Sequence, residues 1–413
     1  MMQTGGVHSR HPTTIAQVVE SGLCIGCGLC EALAPERWAM TYTPEGRLRP
    51  AARSSDPEAG LEILAACPGA VARAHSEDTP CDDMIWGRHH RMERTWAADA
   101  DIRFRAASGG LLTALGVHLL RSGRANFILH CEADPEAPMR TRWCISDTVD
   151  QVIARAGSRY GPSDTLAGLQ VAVDRNEPFA VIAKPCDAGA VRSRAKNDAD
   201  LARNLVCILV MVCGGASDLG KSQALLDDCG VAESDVTLFR YRGYGNPGAT
   251  RVEVKDGRAW QCTYGDLWAD EAGWRIQSRC KICPDANGEA ADIAAADTWP
   301  GANPVGEDAG FNGIITRTEC GEALFEEAVS AGLLVRGEAI APREFDDLQP
   351  HQVRKKRALA ARLRGILEAG SPIYAHEGLR IDELDGRDAD QQDASRARVV
   401  AGRFSETLPT LKG

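Results

Sequence analysis

The sequence has no uninterrupted apolar run of about 18 residues, so it offers no membrane-spanning helix. Its opening residues, MMQTGGVHSRHPTTIAQVVE, lack the apolar core of a secretory signal peptide, and the expected compartment is the cytoplasm. No long basic tract interleaves with aromatics and the formal net charge is −11, which argues against a nucleic-acid partner. No internal repeat recurs, so a solenoid or propeller array is excluded. One further absence raises a question. In SGLCIGCGLCEALAPERW, Cys24, Cys27 and Cys30 have the C-x-x-C-x-x-C spacing of a cubane iron–sulfur site, but no Cys-Pro follows where a bacterial ferredoxin run would place it.

What is present is the composition of an ordinary soluble globular protein, 44% hydrophobic and 25% charged. At roughly 100 to 200 residues per domain, a chain of 413 residues holds two to four units and can bury a sizeable core. The chain has fifteen cysteines. In a small secreted protein they would suggest disulfides, whereas in a long cytosolic one they point to metals or redox chemistry.

Downstream of the triplet, GLEILAACPGAV places Cys67 before Pro68, after a short apolar helical run. Proline turns the chain away from a cluster, so Cys67 is the candidate fourth ligand beside Cys24, Cys27 and Cys30. Gly26 and Gly28 let the backbone curl and aim N–H groups at the sulfurs. Zinc also accepts four cysteines, but it favours paired C-x-x-C hooks over a triplet with a remote Cys-Pro. Four more cysteines stand beside turn residues at the ends of apolar runs: Cys186 in IAKPCD, Cys213 in MVCGGAS, and Cys280 and Cys283 in SRCKICPD. Spacing alone leaves two readings open. They form a second four-cysteine cluster, or Cys280 and Cys283 form a redox or zinc hook while the others are buried thiols. Cys131, Cys144, Cys207, Cys229, Cys262 and Cys320 show no partner spacing and read as plain thiols.

From about residue 90 to 345, helical periodicity alternates with short apolar runs, ANFILHC, PFAVIAKPC and NLVCILVMVC, which predict buried strands of an α/β sheet. Ser108, Gly109 and Gly110 open a helical segment whose free N–H groups could meet a phosphate, although a plain Ser/Gly cap explains them in isolation. Gly243, Gly245 and Gly248 match G-x-G-x-x-G, yet Pro247 sits inside the motif. The residues after it, ATRVEVKDGRAWQCTY, alternate like a hairpin, so a dinucleotide βαβ unit is rejected. A glycine-rich turn flanked by Arg240 and Arg242 remains, suited to a pyrophosphate or flavin edge or serving as a surface turn. Asp292, Asp297, Asn312 and Arg317 lie near later turns, where they could fix a flavin or substrate or act as caps. Beyond 345, DDLQPHQVRKKRALAARLRGILEAG predicts a helix with a basic face, and DELDGRDADQQDASRAR a flexible tail.

Taken together, CIGCGLC with ACPG, SGGLLTAL, GSRYGPS, KPCD, CGGAS, RYRGYGNPG, YGDLW, RCKICPD and ADIAAADTW resemble, in order, the family of coenzyme F420 hydrogenase/dehydrogenase beta subunits, over about residues 20 to 345. The resemblance, joined to the change in character of the chain after 345, implies an α/β fold with three parts. These are a ferredoxin-like 4Fe-4S segment over 1–80, a mixed-sheet FAD and second-cluster domain over 81–345, and a helical C-terminal extension with its tail over 346–413. It implies FAD, contacted by Ser108, Gly109, Gly110, Thr113, Arg240, Arg242, Gly243, Gly245, Gly248 and Asp297. It also implies two 4Fe-4S clusters, the second on Cys186, Cys213, Cys280 and Cys283. The expected function is an oxidoreductase that takes electrons from a ferredoxin-like donor through both clusters to FAD, which exchanges hydride with a small organic substrate. Lys184, Tyr160 and His130 are the candidate proton donors, and a homo-oligomer is compatible with the sequence. Lys184 and the lack of a histidine after Cys213 depart from many relatives, and the resemblance names no substrate. The alternative is a non-catalytic electron-transfer subunit of a larger dehydrogenase or hydrogenase, gripping its partner through Lys355, Lys356 and Arg357.

Overall fold

The computed structural model describes residues 10–53, 61–268, 275–304, 306–385 and 407–409. Its centre is an eight-stranded mixed sheet. We number the strands β1 (Arg91–Ala97), β2 (Phe127–Asp134), β3 (Ala137–Ser146), β4 (Phe179–Ala183), β5 (Leu205–Met211), β6 (Ile293–Asp297), β7 (Asn312–Thr316) and β8 (Leu334–Ala339). Their order across the sheet is β8-β1-β7-β6-β5-β4-β2-β3. The strands β2, β4, β5 and β6 are parallel neighbours in turn, while β7, β1 and β8 on one side and β3 on the other run antiparallel. The three apolar runs singled out in the sequence are β2, β4 and β5, in the middle of the parallel part. A strand covered on both faces has no polar side to alternate with, which is why these runs read as continuous hydrophobes.

The period of two then sorts their side chains into two layers. Ile128, Ala180, Leu209 and Ile293 face a cluster that includes Leu115 of helix α1 (Leu111–Arg121) and Phe325. Phe127, Leu129, Val181, Ile208 and Ala294 face the other cluster, with Ala188 and Val191 of helix α2 (Pro185–Ala195). That second layer also takes in Ile25, Cys27 and Leu29, so the N-terminal cysteine segment lies against the α2 face of the sheet.

The residues after Gly248 form strands and not a helix, as their alternation predicts. Val236–Arg240, Thr250–Val254 and Ala259–Cys262 build a separate three-stranded antiparallel sheet, and the glycine-rich turn joins the first two. At the C-terminus, helix α3 (Pro350–Glu368) is present as expected. It is not an appendage. Leu359, Leu363 and Ile366 share one core with Ile15, Val18, Trp38, Ile63 and Leu64. Strand Ala375–Glu377 then pairs in parallel with Val71–Arg73. Residues from both ends of the chain thus bury one another. Most of the stretch expected to be a flexible tail, from residue 386 on, lies outside the described residues. Among the described residues no helix is long and apolar enough to cross a membrane.

Candidate functional site

All fifteen cysteines are free thiols, and eight of them ring two cavities. Cys24, Cys27, Cys30 and Cys67 line the first, in a wall otherwise made of residues such as Val18, Met40, Pro50 and Ile63. The turn that gathers the triplet requires glycine: Gly26 and Gly28 have φ of +73° and +88°. A Cβ would lie 2.4 Å from the Leu48 carbonyl oxygen at the former and 2.6 Å from the Ala167 nitrogen at the latter. The Gly26 N–H points at Cys24 Sγ, 3.4 Å away. The Leu166 N–H donates to the Cys27 carbonyl at 2.9 Å and ties the loop to the body.

Cys186, Cys213, Cys280 and Cys283 line the second cavity. Sequence separation hides this set, and the sheet explains it. The strands β4 and β5 are parallel neighbours, so the chain leaves them side by side, at Lys184–Cys186 and at Cys213. The Cys280–Cys283 turn comes from the short helix Ser278–Lys281, and the Ala216 N–H points at Cys280 Sγ, 3.4 Å away. Ile25, in the middle of the N-terminal triplet, lines both cavities and is 4% exposed. The two thiol sets are therefore neighbours across one side chain. Among the described residues no three His, Cys, Asp or Glu side chains converge on a single ion, and each cysteine set surrounds a space instead. Burial pushes the thiols up: Cys67 to about 11, Cys213 to about 12, and Cys27, Cys30 and Cys186 well above the ordinary range. Neighbouring sulfurs add to the effect within each set. Such thiols stay protonated unless a cation replaces the proton, as a coordinated metal does.

The segments expected at a flavin also meet. The glycine-rich turn packs against residues 104–107, just before the Ser108-Gly109-Gly110 start of α1. The Gly245 N–H donates to the Phe104 carbonyl at 3.0 Å, and a Cβ on Gly243 would lie 2.4 Å from the Arg105 carbonyl oxygen. Arg242, 3% exposed, is the hub. Its donors reach Asp297 and Tyr160 Oη at 3.1 Å each, the Pro247 carbonyl at 3.2 Å, and the Ala107 carbonyl. Trp299 and Tyr264 flank the guanidinium, with ring centroids 4.6 and 5.3 Å away. Arg242 thus fixes the turn to the end of β6, with its fork committed to protein acceptors. Arg240 lies 4.2 Å over the ring of Tyr244, which is 45% exposed. Ser108 donates to the Phe311 carbonyl, and Asn312 Oδ1 accepts from the first helical N–H, that of Leu111. Thr113 is half-buried one turn further along α1. Gly248 closes the turn, with φ of +71°.

The three candidate proton donors do not share a place. Tyr160 is in the Arg242 cluster, its ring tilted 33° against that of Trp268 at 4.5 Å. Lys184 lines the second cysteine cavity, its ammonium on the Ser163 carbonyl and hydroxyl and on Asp187, at 2.6 to 2.9 Å. With three acceptors for three N–H groups, Lys184 is a tethered cation; burial opposes its charge, but Asp187 holds its pKa above the ordinary value. His130 is buried elsewhere on β2, against Ser146 Oγ at 2.7 Å, and burial lowers its pKa to about 4. The expected basic grip also changes. Lys356 is buried and paired with Glu289, the half-buried Lys355 lines the second cavity, and of the three Arg357 alone is exposed. Asp292 and Arg317 are likewise interior, Asp292 holding Arg192 and Thr318, and Arg317 holding the Trp86 and Asn287 carbonyls. Sequence reading passed over Ile25, Arg279 and Asp285 at the second cavity. Only the nearness of the last two to the C-x-x-C hook could have flagged them.

Comparison with known proteins gives this arrangement a context. Residues 92–170 match the family described as coenzyme F420 hydrogenase/dehydrogenase, beta subunit N-term, and residues 176–340 match its C-terminus counterpart. The chain is 24% identical over 277 residues to coenzyme F420 hydrogenase subunit beta of Methanococcus voltae, covering 65% of this chain and 89% of that protein. It is 23% identical over 322 residues to a subunit of the F(420)H(2) dehydrogenase of Methanosarcina mazei, covering 76% and 85%. One chain in a structure of the F420-reducing [NiFe] hydrogenase complex from Methanosarcina barkeri superposes with a TM-score of 0.55 at 18% identity, covering 71% of this chain and 98% of that one, a likeness of fold. With two adjoining matches over more than half its length, the chain belongs to the family of coenzyme F420 hydrogenase/dehydrogenase beta subunits.

Proposed function

We propose that this protein is the iron–sulfur and flavin subunit of a larger oxidoreductase of the hydrogenase or dehydrogenase kind, carrying electrons between a redox partner and FAD. The observation that carries the reading is the pair of buried four-thiol cavities meeting at Ile25. Each offers four sulfur donors and a backbone N–H aimed at a sulfur, a donor set that fits a 4Fe-4S cluster. Cys24, Cys27, Cys30 and Cys67 would hold one and Cys186, Cys213, Cys280 and Cys283 the other. When bound, these groups supply one-electron steps and a flavin exchanges those for two-electron steps. The flavin is assigned to the junction of residues 105–110 with the 240–248 turn, where Ser108, Gly109, Gly110, Arg240, Gly243, Gly245, Gly248 and Asp297 are gathered and Arg242 holds the parts together. Thr113 belongs to the outer edge of that set.

The subunit reading is favoured over a stand-alone reductase of a small organic substrate because Lys184, Tyr160 and His130 converge on no common point. It also agrees with the names of the relatives, which are subunits, and those names point to coenzyme F420 as the organic redox partner. Anaerobic purification tests the assignment. About eight irons and one FAD per chain are expected, with co-purifying hydrogenase- or dehydrogenase-type partners when the protein is isolated from its host. A chain with zinc in place of iron, or with iron but no flavin, would refute the respective part.

A further inference from the structure

Arg279 stands in the wall between the two cysteine cavities. It lines the second, is 2% exposed, and directly precedes Cys280. Its Nε and Nη2 both donate to the Pro68 carbonyl, at 3.2 and 2.9 Å, and Pro68 follows Cys67 of the first set. Its Nη1 donates to the Ile282 carbonyl at 3.3 Å, one residue before Cys283. The guanidinium lies 4.1 Å over the ring of Tyr374, whose hydroxyl donates to the same Ile282 carbonyl at 2.6 Å. Every one of these acceptors is a neutral carbonyl, and among the described residues no carboxylate pairs with Arg279. A buried cation without an anion is expensive. The thiols that face it are Cys283, Cys186 and Cys280 of the second set and Cys67 of the first. Other cations nearby differ: Lys184 has Asp187, Lys356 has Glu289, and Lys355, only half-buried, donates to the Gly214 carbonyl at 3.3 Å.

We propose that Arg279 is a positioning residue shared by both cysteine sets, clamping the Cys67-Pro68 turn to the Cys280–Cys283 hook and serving as the fixed counter-charge that both sets feel. The inference rests on the iron–sulfur reading above. Net charge and hydrogen bonding around the sulfurs set the potential of such sites. Uptake of one electron adds one negative charge with no bond made or broken, so a guanidinium fixed between two sites favours the reduced form of each. It also ties their spacing to one side chain.

The test is a redox titration of the anaerobically purified full chain. Dithionite supplies the electrons, and the reduced fraction at each site is read by electron paramagnetic resonance, with iron and sulfide counted in parallel. For Arg279→Met, both sites are expected to become harder to reduce, the reduced-to-oxidised ratio at a fixed potential falling about tenfold, or 59 mV for a one-electron couple. Arg279→Lys keeps the charge without the fork and is expected to recover most of that shift. If Arg279→Met does not retain its iron, Tyr374→Leu, which removes the ring under the guanidinium, is expected to move both sites in the same direction by less. A shift confined to one site, or none at either with iron intact, overturns the proposal. Wild-type protein holding no iron would instead overturn the reading on which it rests.

Discussion

Glu289 should be among the most sensitive positions in the molecule for stability. It lies six residues beyond Cys283 and its side chain is 1% exposed. One carboxylate oxygen meets Lys356 of α3 and the other meets Arg380, at 4% and 11% side-chain exposure. Glu289→Gln preserves the shape and removes the charge, leaving two buried cations without it. Removing one partner of a buried pair costs about 3–5 kcal/mol, because the charge left behind is neither hydrated nor neutralised. Lys356→Met is expected to cost less, about 1–3 kcal/mol, since Arg380 still answers Glu289. The double variant is expected to be more stable than Glu289→Gln alone, because Arg380 retains Asp82 at 3.3 Å. Anaerobic urea unfolding followed by far-ultraviolet circular dichroism reads the effect. With a slope near 3 kcal/mol per molar, the Glu289→Gln midpoint should fall by about 1–1.7 M. A shift below about 0.2 M, or a double variant in which the two losses simply add, would refute the assignment of Glu289 as the shared anion.

Three further outcomes are expected. Cys67→Ser should roughly halve iron and acid-labile sulfide while the second site's resonance signal survives, as measured on anaerobically purified protein; loss of both signals would mean that the sets do not load separately. Gly243→Ala should destabilise by more than the roughly 1 kcal/mol expected for Gly257→Ala and should lower flavin content. Both glycines have positive φ, but a Cβ at Gly243 meets the Arg105 carbonyl oxygen whereas Gly257 has open space, and equal effects on the melting temperature would contradict this. Finally, the folded pKa of His130, about 4, lies below the unfolded value of about 6.5, so the unfolded chain takes up that proton first as pH falls. Its contribution is full above pH 6.5 and is lost between there and pH 4, on the order of 1–3 kcal/mol; His130→Asn should flatten that slope in melting temperature against pH.

How far the sequence reveals these features depends on whether a property is local. The runs around Phe127, Phe179 and Leu205 are continuous hydrophobes because both faces are covered, and this shows without any partner being known. The Cys24–Cys30 triplet is legible because its spacing is set by one tight turn. Cys186 and Cys213 are legible only as cysteines at strand ends; what brings them together is the adjacency of β4 and β5, which no local pattern encodes. The direction in which a long basic side chain points is least legible of all. Arg242 reads as an arginine flanking a glycine turn and proves to be a buried clasp, while Lys356 reads as a basic face and proves to be half of an interior ion pair. Lys184 is a further case, its ammonium turned inward onto three acceptors supplied by Ser163 and Asp187.

The core shared by the two ends of the chain carries a consequence for biosynthesis. Ile63 and Leu64, beside Cys67, complete their packing against Leu359, Leu363 and Tyr374, and the strand after Cys67 gains its partner only at Ala375–Glu377. At 5–20 residues per second, a ribosome delivers those partners roughly 15–60 s after Cys67. Through that interval the helix before Cys67 lacks much of the core that buries it. The helix that leads to Cys67 thus reaches its final packing only after every cysteine of the chain has been made.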